Sequence, residues 1–240
     1  MIGRLAWFTM LAVFALVTVG LQMDRQSAST AQLAALVPQP FRHTAQARIA
    51  AASIQGASPE QALEEAQRLI VRRPMPAQSI RLLALAQNKA GAPGEGLISI
   101  QLAARRGWRD VAAQEAMARL ALSAGDGPEA ARRYMALFVR PESNDETMRQ
   151  LSEALFALPG EEAQDALAAI IADSERWNVS FLRRGLQVMS ARRFAALIEE
   201  SASLGARHEC AALMNVTQRV AREDPAAAER IRRVLDRQCP

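Results

Sequence analysis

A period of 34 residues between positions 42 and 142 constrains the fold of this chain more than any other feature. When the sequence is shifted by 34 residues, five sets of three positions coincide, and each set is apolar or small. The sets are Ile49, Leu83 and Met117; Ala50, Ala84 and Ala118; Ala62, Gly96 and Ala130; Ala66, Ile100 and Tyr134; and Leu69, Ala103 and Leu137. A period of this length is typical of stacked repeats, in which each unit buries its apolar face against its neighbours.

Each block is predicted to form two helices with a glycine at the break between them, namely Gly56, Gly91 and Gly125. Ser58 before Pro59 is a strong start signal for a second helix. The expected helix pairs cover residues 43–73, 77–106 and 110–140. The chain is 50% apolar but only 5% aromatic, and it has no alternating Val, Ile and Thr run that would predict a strand. We therefore expect an all-α fold.

Paired antiparallel helices with small residues at their crossing resemble the tetratricopeptide repeat (TPR). The alanines of the second set stand where that family has a small residue on its first helix, and Ala62, Gly96 and Ala130 stand in its second-helix column. Pro74 matches the closing proline, whereas Trp108 and Glu142 do not. The early aromatic of the family is replaced by Gln46, Ile80 and Gln114. The resemblance implies a right-handed α-solenoid of antiparallel hairpins.

This resemblance divides the body of the chain into three TPR-like repeats over residues 42–142 and a degenerate fourth repeat over 143–177. Leu151 and Ser152 keep the register of the fourth repeat, and Pro159-Gly160 breaks its helix pair. Residues 178–240 are expected to form a helical C-terminal cap, where atypical sequence is typical of repeat arrays. The helices expected there cover residues 179–189, 191–204, 206–222 and 225–238.

The N-terminus carries an uncharged run from Leu5 to Met23. Nineteen helical residues reach roughly 28 Å, which is close to the thickness of a bilayer core. Arg4 before the run favours a cytoplasmic N-terminus, which leaves the body in the periplasm of a bacterium. We expect an inner-membrane, single-pass anchor at 1–23 and a linker at 24–41. The alternative is a cleaved signal peptide that releases a secreted body.

Cys210 and Cys239 are the only cysteines. A hairpin of the last two expected helices would place them at the same end, and an exported compartment permits a disulfide. Two unpaired thiols are the alternative. The nearby His208 supplies too few ligands for zinc, so neither a metal nor a cofactor is expected.

The sequence has no nucleophile, phosphate-loop or metalloprotease motif, so we do not expect an enzyme. The net charge of +4 comes from 29 basic and 25 acidic residues without a cluster of one sign, which does not predict nucleic-acid binding. Arg72, Arg106 and Arg140 repeat at 34 residues and each ends a second helix. They are expected to complement the negative end of the helix, with a basic ladder for an acidic ligand as the alternative.

The first helices of TPR domains line a concave groove that binds peptides. The matching positions here are Arg81, Leu85, Asn88 and Lys89 in the second block and Glu115 and Arg119 in the third. The resemblance thus implies a site for an acidic side chain or a peptide carboxylate, against the alternative of a solvated helix face.

The anchor and the repeats together predict a scaffold that binds a protein partner in cell-envelope assembly or export. The alternative is a glycan- or polymer-handling helical protein, either a binding module or a lyase-type enzyme.

Overall fold

The computed structural model describes residues 2–239, and all the regular structure within this range is helical. The all-α prediction is therefore confirmed for these residues. The helices are α1 (Ile2–Gln26), α2 (Leu33–Leu36), the short 3-10 helix η1 (Gln39–Phe41), α3 (Ala45–Gly56), α4 (Pro59–Arg72), α5 (Ala77–Lys89), α6 (Pro93–Arg106), α7 (Val111–Ser123), α8 (Gly127–Phe138), α9 (Asp145–Phe156), α10 (Glu162–Asp173), α11 (Glu175–Val188), α12 (Ala191–Ser203), α13 (Cys210–Val220) and α14 (Pro225–Gln238).

Short polar side chains and glycines set the ends of these helices. Ser58 accepts a hydrogen bond from the backbone N–H of Gln61 at the start of α4, and Asp110 and Asp126 cap α7 and α8 in the same way. The breaks at Gly91 and Gly125 have φ of 78° and 72°, a backbone conformation that glycine adopts without steric cost. Local signals of this kind explain why the predicted helix pairs agree with the observed ones to within a few residues.

The chain divides into two compact units, one ending at Gly107 and the other beginning at Trp108. In the first unit, α3 packs on α4, α4 on α5, and α5 on α6, and α3 also contacts α5. The small residues of the period form the contact surfaces, because Ala50, Ala62, Ala66 and Ala84 are all buried. Each of these helices thus buries its apolar face against its neighbours along the chain.

The helices of the second unit form two successions of contacts. One runs through α7, α9, α11 and α13, and the other through α8, α10, α12 and α14. The core of this unit is larger and includes a run of aromatic rings, Tyr134, Phe138, Phe181 and Phe194, whose successive centroids lie 5.2, 6.0 and 4.9 Å apart. Aromatic side chains therefore carry more of the burial here than in the alanine-rich first unit.

Helix α1 contains a segment, Gly3–Gln26, that is long and apolar enough to cross a membrane. Its most apolar stretch of 18 residues has a mean hydropathy of 1.9, and only 6% of that stretch is buried. At 1.5 Å per residue, its 24 residues span about 36 Å.

The sequence predicted a linker at residues 24–41; residues 24–26 continue α1, and residues 27–41 fold back onto its end. The buried Asp24 carboxylate accepts hydrogen bonds from the backbone N–H groups of His43, Thr44 and Ala45, at 2.8–2.9 Å. These donors open α3 and have no partner within the helix. The ring of Phe41 lies against Gly20, where an added Cβ would come within 2.6 Å of it. Within the first unit, η1 and the start of α3 are thus attached to the last turns of α1.

Replacing Asp24 with alanine is expected to loosen this attachment. The change leaves three N–H groups without their charged acceptor, and we expect unit 1 to lose about 2 kcal/mol of stability. Hydrogen exchange of the full chain in detergent should show faster exchange at His43, Thr44 and Ala45. The exchange rates in Asp24→Asn, which keeps one acceptor oxygen, should lie between those of the wild type and the alanine variant. Arg25→Ala should not change them. Unchanged exchange in the alanine variant would contradict this role of Asp24.

Candidate functional site

The structure places the six predicted groove residues on two helices in different units. Arg81, Leu85, Asn88 and Lys89 lie on α5, and Glu115 and Arg119 lie on α7. Spacings of four, seven and eight residues put the α5 positions on one side of that helix.

Lys89 serves the fold of the first unit. Its Nζ donates hydrogen bonds to the carbonyl oxygens of Ile54 and Ala57 at 2.7 Å and of Ser53 at 3.3 Å. These groups end α3, so the ammonium neutralises the negative end of a neighbouring helix. Arg81 also interacts within the chain. Both cations thus have partners within the chain, and their part in a peptide groove stays a prediction.

The remaining predicted positions offer little polar recognition. Asn88 lies against Gly96, where an added Cβ would come within 2.5 Å of the amide oxygen. Glu115 and Arg119 form an ion pair with each other at 3.0 Å, one helical turn apart on the surface. Leu85 is 41% exposed and is the apolar member of the set. The α5 and α7 positions therefore resemble a solvated helix surface with internal contacts.

A cavity of about 500 Å³ lies at the same repeat positions one block further along. Shifting Glu115 and Arg119 by 34 residues leads to Arg149 and Glu153 on α9. These two line the cavity together with Ser152, Phe156 and Ala157 of the same helix. The opposite wall comes from the α11–α12 turn and contains Val188, Met189, Ser190 and Arg193. Extending the 34-residue period would identify the α9 wall of the cavity. The sequence gives no comparable signal for the opposite wall.

The arginines of this cavity are held in place by contacts with the same unit. The Arg149 guanidinium pairs with Glu146 at 2.6 Å and donates to the carbonyl oxygen of Gln187 at 3.1 Å. The Arg193 guanidinium carbon lies 4.9 Å from the centroid of the Phe156 ring, a cation–π geometry. Two arginine side chains are thus positioned at the edge of one cavity, and Glu146 partly offsets the charge of Arg149.

The rest of the lining is apolar apart from Glu153 and two serines. Val188 and Met189 are buried beneath the cavity, and the half-buried Phe156 joins them. The Glu153 side chain is exposed and forms no ion pair among residues 2–239. The arrangement can accept an apolar side chain below and a carboxylate at the rim, while Glu153 remains available to accept an N–H group.

The repeating arginines hold the ends of the hairpins. Arg72 donates to the carbonyl oxygens of Gln39 and Arg42, and Arg106 donates to that of Pro74. Each of these carbonyls belongs to the segment that precedes the first helix of the same hairpin. Arg140 differs, because it pairs with Glu142 at 3.1 Å. Arg72 and Arg106 lie in the last turns of α4 and α6, and their hydrogen bonds hold the preceding segment against the end of each hairpin.

Cys210 and Cys239 form a disulfide in the structure, with Cα atoms 5.8 Å apart. The segment that precedes Cys210 is held by the other end of the same hairpin. Gln238 accepts a hydrogen bond from the backbone N–H of His208 at 3.0 Å and donates to the carbonyl of Ala206 at 2.7 Å. The helix expected from residue 206 begins only at Cys210, because residues 206–208 use their backbone groups in these contacts.

The buried His208 ring joins two helices of the second unit, α11 and α12. Its Nδ1 lies 2.7 Å from the amide oxygen of Asn178, and its Nε2 lies 3.2 Å from the hydroxyl of Ser201. An amide oxygen can only accept, so Nδ1 carries the proton. Ser201 is fully buried, and substrate cannot reach it. The arrangement is therefore a structural network rather than a nucleophile with its base.

Burial lowers the pKa of His208, and the nearby carbonyl of Ile198 offsets this only in part. Among residues 2–239, no group of three or more His, Cys, Asp or Glu side chains could hold a metal ion.

Comparison of the chain with protein-family models, with curated proteins and with solved structures finds no match.

Replacing Lys89 with methionine should destabilise the first unit. The variant keeps the apolar stem but leaves the carbonyls at the end of α3 without their cation, which should cost about 1–2 kcal/mol. Urea unfolding of the full chain measures the change. Arg105→Met, a change to an exposed arginine of the same unit, is the control and should be nearly neutral. Equal effects of the two substitutions would show that Lys89 is an ordinary surface residue.

The lowered pKa of His208 predicts a loss of stability in mild acid. Below the ordinary value of 6.5, the unfolded chain binds a proton that the folded chain rejects, so the free energy of unfolding falls as pH falls. Urea unfolding of the wild type between pH 7.5 and 5.5 should show this slope. His208→Ala should flatten it, whereas His43→Ala, at an exposed histidine, should leave it unchanged. A wild-type slope retained in His208→Ala would exclude this histidine as its source.

Proposed function

We propose that this chain is a membrane-anchored, TPR-like scaffold that binds a segment of another protein in cell-envelope assembly or export. The cavity between α9 and the α11–α12 turn carries this proposal, because it lies on the columns that face ligand in the repeat family that the sequence resembles. Its volume of about 500 Å³ falls within the range of binding pockets.

The proposed architecture is a right-handed solenoid of helix hairpins in each unit. The order of helix contacts supports it. In the first unit neighbouring helices pack in chain order, and in the second unit odd-numbered and even-numbered helices form two parallel successions. Contacts between successive hairpins are what a stacked repeat requires.

The ligand that fits this cavity is a peptide segment with an acidic group beside a large apolar side chain. The apolar side chain would occupy the floor formed by Val188, Met189 and Phe156. The acidic group would bind Arg149 and Arg193 through charge-assisted hydrogen bonds. Glu153 would accept a backbone N–H of the segment and thereby fix its direction.

The proposed location is the bacterial inner membrane, with the body on the periplasmic side. The apolar α1 supports the anchor, and Arg4 supports the orientation. The Cys210–Cys239 disulfide is consistent with an oxidising compartment. A body released by signal cleavage remains the alternative.

The cavity favours protein binding over glycan cleavage. Glu153 is the single acidic residue of its lining. Glycoside hydrolysis commonly uses two carboxylates on opposite sides of the scissile bond. A second acidic residue at this site would be needed for that alternative.

Selection of displayed random peptides on the full chain in lipid nanodiscs tests the proposed ligand. Enriched peptides should share an acidic residue next to a large apolar residue. The double variant Arg149→Glu, Arg193→Glu should weaken their binding at least tenfold, because two charge-assisted contacts of about 1.5–3 kcal/mol each are lost.

Arg192→Glu is the matched control, since Arg192 is an exposed neighbour of Arg193 that does not line the cavity. Its binding should equal that of the wild type. Enrichment of peptides without acidic residues, or equal binding by the double variant, would remove the cavity as the proposed site.

A further inference from the structure

One edge of the first unit combines exposed apolar side chains with arginines. Val71, Met75 and Leu36 are 85%, 73% and 66% exposed, and they are among the most exposed large apolar residues outside α1 in the described chain. Arg42 and Arg73 flank them in sequence. We call this set, together with η1, the hairpin-end edge. Side chains of this kind on a soluble surface mark a site of interaction.

Contacts place the hairpin-end edge beside the last turns of α1. The Phe41 ring of η1 lies against Gly20 of α1. Arg72, at the end of α4, donates to the carbonyl oxygens of Gln39 and Arg42 on either side of that ring. Arg106 donates to the carbonyl of Pro74, next to Met75. A chain of contacts thus runs from α1 to the ends of α4 and α6.

The position of Gly20 sets the depth of this edge relative to a bilayer. Gly20 lies within the uncharged run that ends at Met23. At 1.5 Å per residue, it is about 4.5 Å inside the end of that run and about 6 Å below Asp24. If α1 spans the membrane, Phe41 lies at the boundary between the acyl chains and the headgroups, and Arg72, which binds η1, lies at the same surface.

The acidic residues of the first unit lie mostly away from the hairpin-end edge, as binding to an anionic surface requires. Beyond Asp24, which is bound to α3, its acidic residues are Glu60, Glu64, Glu65 and Glu95. All four lie in the first half of α4 or α6, toward the opposite end of the hairpins. No acidic residue occurs between Asp24 and Glu60, between Glu65 and Glu95, or from Glu95 to the end of the unit. Asp24, whose charge is bound by the backbone at the start of α3, is therefore the one carboxylate of residues 2–107 placed near the hairpin-end edge, against Arg42, Arg72 and Arg73.

We infer that the hairpin-end edge docks on the surface of the bilayer that α1 spans, with apolar side chains at the acyl boundary and arginines on anionic lipid headgroups. This inference rests on the anchoring given under the proposed function. Each arginine near an anionic surface contributes about 1 kcal/mol, or about fivefold, to association. Burial of exposed aliphatic side chains at the boundary adds to it. The first unit would then lie on the membrane surface.

Spin-label accessibility on the full chain tests this inference in nanodiscs of phosphatidylcholine with or without phosphatidylglycerol. A nitroxide at Met75→Cys, attached with the native disulfide intact, reports on the edge. A nitroxide at Gln55→Cys is the control, because this exposed residue lies about 15 Å from the start of α3, at its far end. In anionic nanodiscs, the label at position 75 should gain accessibility to oxygen and lose accessibility to a water-soluble nickel complex severalfold. The label at position 55 should remain accessible to nickel in both lipids.

Charge reversal then distinguishes binding to the lipid headgroups from proximity to the bilayer alone. Arg73→Glu should reduce the ratio of docked to undocked states by about fivefold or more and restore nickel access at position 75. Gln61→Glu, which adds a negative charge near the other end of α4, should not. Equal nickel access at positions 75 and 55 in a chain that resists carbonate extraction would overturn the inference and leave the anchor intact. Release of the chain by carbonate would overturn the anchor and the inference together.

Discussion

Close packing of helices on small side chains is the constraint on which the rest of this structure depends. In the first unit, alanines at 34-residue spacing, such as Ala50 and Ala84, are buried at the contacts between helices. Such interfaces bring backbones together but bury little apolar surface per residue. A hairpin of this kind gains stability from packing on the next one.

Lysine and arginine side chains that bind carbonyl oxygens add stability to these interfaces, which bury little apolar surface. Lys89 binds the end of α3, and Arg72 and Arg106 close their hairpins. In the second unit, Arg184 of α11 donates to Ser143 and to carbonyls at the end of α8, and it pairs with Asp145. Several arginines of this chain thus have a structural use.

The sequence predicted the helices well and the roles of charged side chains poorly, for one physical reason. Helix ends depend on local signals such as Ser58-Pro59 and Gly91, which act within a few residues. The bonds of Lys89 and Arg72 reach back 30 residues or more, so they depend on how the hairpins fold together. The α9 wall of the cavity could have been predicted by extending the 34-residue columns to Arg149. The opposite wall could not, because residues 188–193 keep no register with the repeats.

The cavity arises where the packing of the hairpins changes. α9 packs on α8 and α11 but touches α10 only slightly, although α10 follows it in the chain. The connection between them contains Pro159 and a glycine with φ of 84°, and α10 packs mainly on α8 instead. Arg149 and Glu153 of α9 instead line the cavity, which the end of α11 and the start of α12 border on the other side. A hairpin whose two helices separate leaves a concave surface that tightly paired alanine-rich hairpins do not, so the cavity lies beside the fourth block rather than the second.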